Sequence, residues 1–361
     1  MVFTGGNLIF SEERSSTNAE HMDQLLLSPV GNKINLFNLT TNIASTLPFQ
    51  NRSNIARLVL SPDKRTLITI DVDGFALIIN MVKKVVLAHF NFRDTVTAIS
   101  FSPDNKFFFV ACDTKCKIFE SPSIDHKTFS PLVLYKKYGN LHSQTITGVS
   151  WSHDSRFILT WSKDLTLKMI SLHKIPHFLP FTFSGNKKPI VSAFFSADSK
   201  RIFTISQNGT LLMWKWIPER SEEADKMIKF AEQKMGKRLK LSSSAEKPNA
   251  YAVTETDLEL MTDLEREASK GRYLLEKRSR FGLGAMSKIV SASVSSPASS
   301  KVILVIGQSN GVFSLYDLDT LESIHSFQIS QNRIDSIAMN ATGEWVAMGS
   351  KEQGQLFVWE W

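Results

Sequence analysis

Apolar and polar positions alternate along most of this chain in a unit that recurs. The clearest copy covers residues 101–120 (FSPDNKFFFVACDTKCKIFE). An apolar strand ends in Ser, a polar turn follows, and a second apolar strand leads to a turn rich in Asp, Asn, Gly or Lys. A third strand then ends on an aromatic or aliphatic residue. The same cadence begins at Leu60, Trp151 and Phe195, and a looser copy begins at Met339. Aligned on Ser61, Ser102, Ser152 and Ser196, the unit returns every roughly 40–50 residues. Period-2 alternation with turn residues between the runs predicts strands throughout. Turn position and apolar spacing repeat together, which favours a repeat architecture over a β-sandwich of unrelated hairpins. The predicted fold is all-β, a seven-bladed β-propeller of the WD-repeat type.

Taken in order, the alternation places strands at 7–11, 24–28, 33–38 and 43–49 in a first blade. The second blade reads 55–61, 66–71, 75–80 and 84–90, and the third 96–102, 106–112, 116–120 and 131–138. The fourth reads 146–152, 157–162, 166–171 and 178–184, and the fifth begins 190–196, 201–206 and 210–216. The sixth reads 288–294, 302–307, 312–317 and 322–329, and the seventh 334–340, 345–350 and 355–361. Residues 218–271 interrupt blade five with a charged stretch, after which 272–281 supplies its delayed outer strand. The domain division is thus 1–217, an insertion at 218–271, and 272–361 completing the same propeller. Within the insertion, helical spacing of Ala224, Ile228, Ala231 and Met235, and of Leu258, Met261, Leu264 and Ala268, predicts two helices. The composition also suits a solvated, partly disordered loop. The count leaves seven inner triplets but six outer strands. Either residues 1–4 supply a stub for blade seven, or its outer strand lies outside this sequence, as in a piece of a longer protein.

Turn chemistry agrees with this plan. Asp73-Gly74, Asn208-Gly209 and Asn310-Gly311 are hairpin dipeptides that tolerate positive φ, and Pro29-Val30-Gly31-Asn32 joins the second and third strands. The Trp-Asp ending of such repeats has drifted to Phe119-Glu120, Trp214-Lys215, Tyr316-Asp317 and Trp359-Glu360.

Composition adds three constraints. The 361 residues carry 42% hydrophobic residues and 25 Phe, ample for sheets packed face to face. The net charge of +7 suits anionic surroundings such as RNA-rich particles. The two cysteines, Cys112 and Cys116, flank one turn; they form a cross-strand bridge or, as two of so few suggest, stay reduced. No signal peptide is evident, and no apolar run approaches the roughly 20 residues of a membrane helix.

The chemistry of an enzyme is not legible. There is no Walker loop and no HExxH. Asp71-Val72-Asp73-Gly74 reads as a hairpin turn rather than a calcium loop, because its Gly comes too early. Phe281-Gly282-Leu283-Gly284 lacks a strand–helix context. His89 and His142, just before inner strands, are expected to be structural. No cofactor, metal, membrane or small-molecule substrate is expected. The candidate contact residues for RNA or a protein partner are two basic clusters: Lys234, Lys237, Arg238 and Lys240, then Lys277, Arg278 and Arg280.

Several segments are more distinctive than generic repeats: GNLIFS at 6–11, LSPVGNKI at 27–34, HFNF at 89–92, WSHDSRFILT at 151–160, TGEW at 342–345 and GQL at 354–356. They resemble the periodic tryptophan protein 2 family, tandem-propeller subunits of the UTP-B complex of the small-subunit processome. The likeness runs end to end, apart from most of 218–270. Family members typically carry an extra stretch ahead of the equivalent of Gly6, a second propeller and a C-terminal helical region. None of the three is in this sequence, in keeping with the open blade. The resemblance implies a non-catalytic scaffold in ribosome biogenesis, supporting 18S pre-rRNA processing in the nucleus and nucleolus. Its partners would be other UTP-B WD-repeat subunits, pre-rRNA and the snoRNA-containing particle. A different class of function, a peptide-binding adaptor for a ubiquitin ligase or trafficking, fits the same fold.

Overall fold

The computed structural model describes residues 2–14, 22–122, 132–173, 180–218, 271–283, 287–295 and 302–361. They form seven antiparallel sheets of consecutive strands. Blade one holds β1 (Ile9–Arg14), β2 (Met22–Val30), β3 (Lys33–Asn38) and β4 (Ile43–Gln50). Blade two holds β5 (Ile55–Leu60), β6 (Thr66–Asp71), β7 (Phe75–Asn80) and β8 (Val85–Asn91). Blade three holds β9 (Val96–Phe101), β10 (Phe107–Cys112), β11 (Lys115–Glu120) and β12 (Leu134–Tyr138). Blade four holds β13 (Ile146–Trp151), β14 (Phe157–Ser162), β15 (Leu167–Ser171) and β16 (Phe181–Phe183). Blade five holds β17 (Ile190–Phe195), β18 (Arg201–Ser206), β19 (Thr210–Pro218) and β20 (Gly271–Arg280). Blade six holds β21 (Ile289–Val294), β22 (Ile303–Gln308), β23 (Val312–Asp317) and β24 (Ser323–Gln328). Blade seven holds β25 (Ser336–Met339), β26 (Trp345–Ser350) and β27 (Gln355–Glu360). The innermost strands β1, β5, β9, β13, β17, β21 and β25 touch in turn and close a ring. The seven-bladed all-β propeller expected from the repeat is the fold observed.

Seven apolar clusters hold the ring, one at each blade–blade interface. Period-2 alternation sends successive side chains of a middle strand to opposite neighbours. In β10, Phe108 and Val110 join the cluster shared with blade two, and Phe109 and Ala111 the one shared with blade four. Hence β6 is buried at all six positions, while outer strands such as β8 alternate with solvent.

One turn recurs where the first strand of a blade passes to the second. Ser61, Ser102, Ser152 and Ser196 each donate a hydroxyl hydrogen bond to the Asp two residues on. Each hydroxyl oxygen also accepts the amide N–H five residues on, at 2.9–3.0 Å, from Thr66, Phe107, Phe157 and Arg201. The third residue past the Ser is left-handed, with φ between 54° and 60° at Lys64, Asn105, Ser155 and Ser199. In blade seven Asn340 replaces the Ser and accepts from Gly343 and Trp345 at 3.0 Å each. These bonds satisfy amide groups that burial would leave unpaired.

Blade seven has three strands, and the chain start addresses the deficit. Val2 makes an antiparallel bridge with Gln355, and the Phe3 N–H donates to the Gly354 carbonyl at 2.9 Å. Residues 2–3 are therefore a stub of an outer strand, the first of the two expected sources. Phe3 is fully buried between blades seven and one, beside Leu8, Leu26, Ala347 and Leu356. Its ring lies on Gly349, where a Cβ would come within 2.6 Å of it.

Two details differ from the sequence reading, and a third decides between its two cysteine alternatives in favour of reduced thiols. The hairpin joining β2 and β3 turns on Gly31 and Asn32 alone, because Pro29 and Val30 still pair, with Ile34 and Lys33. β19 and β20 extend to Pro218 and Gly271, which are register partners and so belong to the blade. Cys112 and Cys116 are free and buried. Cys112 faces blade two and Cys116 faces blade four, so the pleat itself keeps them from bridging. Burial raises both thiol pKa values, that of Cys116 to about 12. The helices expected within 221–241 and 257–270 lie outside the described residues.

Truncating Phe3→Ala is expected to cost about 3–5 kcal/mol and to lower the denaturation midpoint, with Phe3→Leu recovering most of it. Ser152→Ala leaves the buried Phe157 N–H without its acceptor and is expected to cost about 1–3 kcal/mol. Chemical denaturation followed by tryptophan fluorescence measures both.

Candidate functional site

The first residues of the inner strands lie on one face of the ring, called the upper face here. The loops entering those strands and the turns between second and third strands share it. A cavity of about 320 Å³ opens along the axis near this face, lined among others by Asn7, Arg57, Thr97, Gly148, Trp161 and Asp335. Its polar side chains are largely engaged in fastening one blade to the next. Asn7 bonds the Leu58 backbone through both amide atoms, at 2.7 Å each. Arg57 Nε donates to the Thr97 carbonyl at 2.8 Å. Trp161 Nε1 donates to the Val191 carbonyl at 3.2 Å, and Ser336 Oγ accepts the Leu8 N–H at 3.3 Å. Burial lowers the Arg57 pKa. Gly148 is required because a Cβ there would lie 2.1 Å from the Trp161 ring. Among the described residues, no group of three or more His, Cys, Asp or Glu side chains converges as metal ligands would.

A buried polar network on the upper face centres on His142. Its Nδ1 bonds Asp164 Oδ2 at 3.0 Å and its Nε2 bonds Thr160 Oγ1 at 3.0 Å. Asp164 also accepts from the Ser143 and Thr166 amides and from the Thr166 hydroxyl, at 2.7–3.1 Å. The imidazole is 3% exposed, so desolvation outweighs Asp164 and lowers its pKa. A neutral ring donating from Nδ1 to Asp164 and accepting at Nε2 from the Thr160 hydroxyl fits both short contacts. His142 is thus the structural histidine expected. His89 is not: its side chain is exposed on the outer strand β8. Blade two builds the same junction from Asn51 and Thr69, bonded at 2.8 Å. In blade five the side chains of the matching pair, Asn186 and Thr204, are buried without hydrogen-bond partners among the described residues.

Of the basic candidates, Lys277, Arg278 and Arg280 are exposed on β20. The strand splits them. Arg278 pairs with Leu212, whose side chain joins the cluster facing blade four, whereas Lys277 pairs with Met213 on the blade-six side. Arg280 shares the side of Arg278 by alternation. Both lie toward the upper face. Gly271, where the chain returns from the insertion, is about 30 Å away at the far end of the strand. Lys234, Lys237, Arg238 and Lys240 lie outside the described residues. Reading the sequence for basic runs passed over Lys163, Lys187, Lys188 and Lys288. Each stands exposed in an upper-face loop or turn, and only the pairing of Lys187 with Lys188 hints at them.

The WD domain, G-beta repeat family matches residues 82–120, 135–171 and 179–215. Each match opens on or beside the outer strand of one blade and ends on the third strand of the next, so the sequence repeat straddles two blades. The Cps50 (Swd1) β-propeller domain of Myceliophteria thermophila superposes with a TM-score of 0.65 over 99% of this chain and 98% of its own. At 11% identity that likeness is one of fold alone. The chain is a WD-repeat β-propeller protein. Homologues over its whole length include proteins named periodic tryptophan protein 2. The Schizosaccharomyces pombe homolog is 34% identical over 364 residues, covering 100% of this chain and 37% of that protein. The Saccharomyces cerevisiae protein is 32% identical over 362 residues, covering 100% and 35%. The chain thus spans a little over a third of the curated relatives it matches.

The His142 network sets a pH dependence. The unfolded imidazole titrates near 6.5 and the folded one lower, so the unfolded chain takes up the proton first as pH falls. Its contribution is complete above about pH 6.5 and is lost on acidification toward the folded pKa. Melting temperature is expected to decline from about pH 7 to 5, and His142→Asn is expected to lower the curve and flatten that slope. A slope unchanged by the substitution would refute the assignment.

Proposed function

We propose that this propeller is a non-catalytic scaffold in ribosome biogenesis, acting as part of a UTP-B subunit that supports small-subunit processome assembly and 18S pre-rRNA processing. One observation carries the reading: likeness to periodic tryptophan protein 2 proteins over all of the chain. The net charge of +7 supports association with an RNA-rich particle. The hydrogen bonds across the axial cavity support a structural role, since they tie blades together. The partners proposed are other UTP-B WD-repeat subunits, pre-rRNA and the snoRNA-containing particle, in the nucleus and nucleolus. Lys277, Arg278 and Arg280, with Lys234, Lys237, Arg238 and Lys240, are proposed contact residues.

The test uses the full-length protein containing this propeller, tagged and purified at low salt from its own cells. Co-purification of other WD-repeat subunits and of pre-rRNA is expected, with unprocessed 18S precursors accumulating on depletion. Normal 18S maturation after depletion, with no precursor RNA recovered, would overturn the proposal.

A further inference from the structure

Six exposed cations form an arc on the upper face over blades four to six. Lys163 stands on the turn between β14 and β15, and Lys187 and Lys188 on the loop entering β17. Arg278 and Arg280 end β20, and Lys288 precedes β21. No ion pair engages any of the six among the described residues. The acid standing among them, Asp164, has its carboxylate taken by His142, Ser143 and Thr166. Two parts of the arc meet: Gly185, beside Asn186 and Lys187, lies close to Leu212, and Leu212 pairs with Arg278. The adjoining sector of the same face, over blades two and three, is mixed in sign, with Asp73, Asp94 and Asp113 exposed among Arg52, Arg93 and Lys115, and Asp113 accepts from Thr145 at the border of the arc.

We propose that this arc binds the phosphodiester backbone of RNA without reading its sequence. The inference rests on the ribonucleoprotein reading above and names the surface. Leaving six cations unpaired on one face carries a repulsive cost that a polyanion removes. The arc crosses three blades, which suits an extended chain of phosphates better than a single charged side chain. Lys187 and Lys188 supply mobile point charges, and the Arg278 and Arg280 guanidiniums supply forked donors matched to phosphate oxygens. Full engagement of six cations gives a salt slope of about −4 for single-stranded RNA.

The experiment is fluorescence anisotropy with the whole chain and two labelled RNAs, a mixed-sequence single strand and a hairpin duplex, between about 50 and 200 mM salt. The test variant carries Lys187→Glu, Lys188→Glu, Arg278→Glu and Arg280→Glu. The control makes the same charge change on the other face, through Arg65→Glu, Lys83→Glu, Lys106→Glu and Lys200→Glu. Thermal melting of both confirms folding. The expected result is at least a tenfold loss of affinity in the test variant, a slope shallower by about 2–3, and a much smaller loss in the control. Comparison of the two RNAs shows which form of the backbone the arc prefers. Equal losses in both variants would reduce the effect to net charge and overturn the proposal. RNA binding unchanged in the test variant would also overturn it while leaving the scaffold reading standing. A test variant that keeps RNA but drops an acidic protein partner would assign the arc to that partner instead. Absence of RNA binding by the unsubstituted chain would remove the proposal together with the RNA part of the scaffold reading.

Discussion

A ring of sheets is stable only if its last interface forms, because every blade relies on both neighbours to cover its two faces. Six of the seven interfaces join blades that follow one another in sequence. The seventh joins blade seven to blade one, and the Leu8 N–H that reaches Ser336 there spans 328 residues. Bringing such distant segments together costs chain entropy that grows only slowly with length. The seam offsets it with Phe3, fully buried, laid on the bare backbone of Gly349. The same stretch begins an outer strand for blade seven through Val2. Sealing the ring and capping a sheet edge are thus one device.

Within each blade, short side chains carry the regularity. The Ser-to-Asp turn recurs because a buried amide at the start of the second strand needs an acceptor, and a hydroxyl two bonds from the backbone is well placed to supply it. Between blades the chemistry is less uniform. His142, Asn51 and Asn186 occupy the same loop position but make a full network, a single bond and none. Such positions tolerate drift because apolar packing, not the polar junction, provides most of the interface energy.

Closure also creates the surfaces. Blades that repeat in sequence present equivalent loops on one face, so charges far apart along the chain become neighbours. Lys163, Lys188 and Lys288 stand on one face for this reason. The inner wall is shaped by the same geometry, since side chains that fasten neighbouring blades occupy the axial cavity and stiffen it.

Residues such as Ser61, Phe108 and Gly74 made the strands, turns and blade count legible in the sequence, because alternation and turn chemistry are local properties of the chain. The distinctive SPVGN and TGEW segments made the homology legible for the same reason. Tertiary structure alone decided the rest. For Cys112 and Cys116 the sequence left a bridge open beside two reduced thiols, and the pleat that sends them to opposite interfaces decided for the thiols. Arg278 and Lys277 read as one basic cluster until the strand parts them, and His89 looks like His142 until the outer strand exposes it. Phe3 carries no signal of its own, since its partner Gly349 is nearly the whole chain away. Local pattern specifies what each segment becomes; which segments meet depends on how the ring closes.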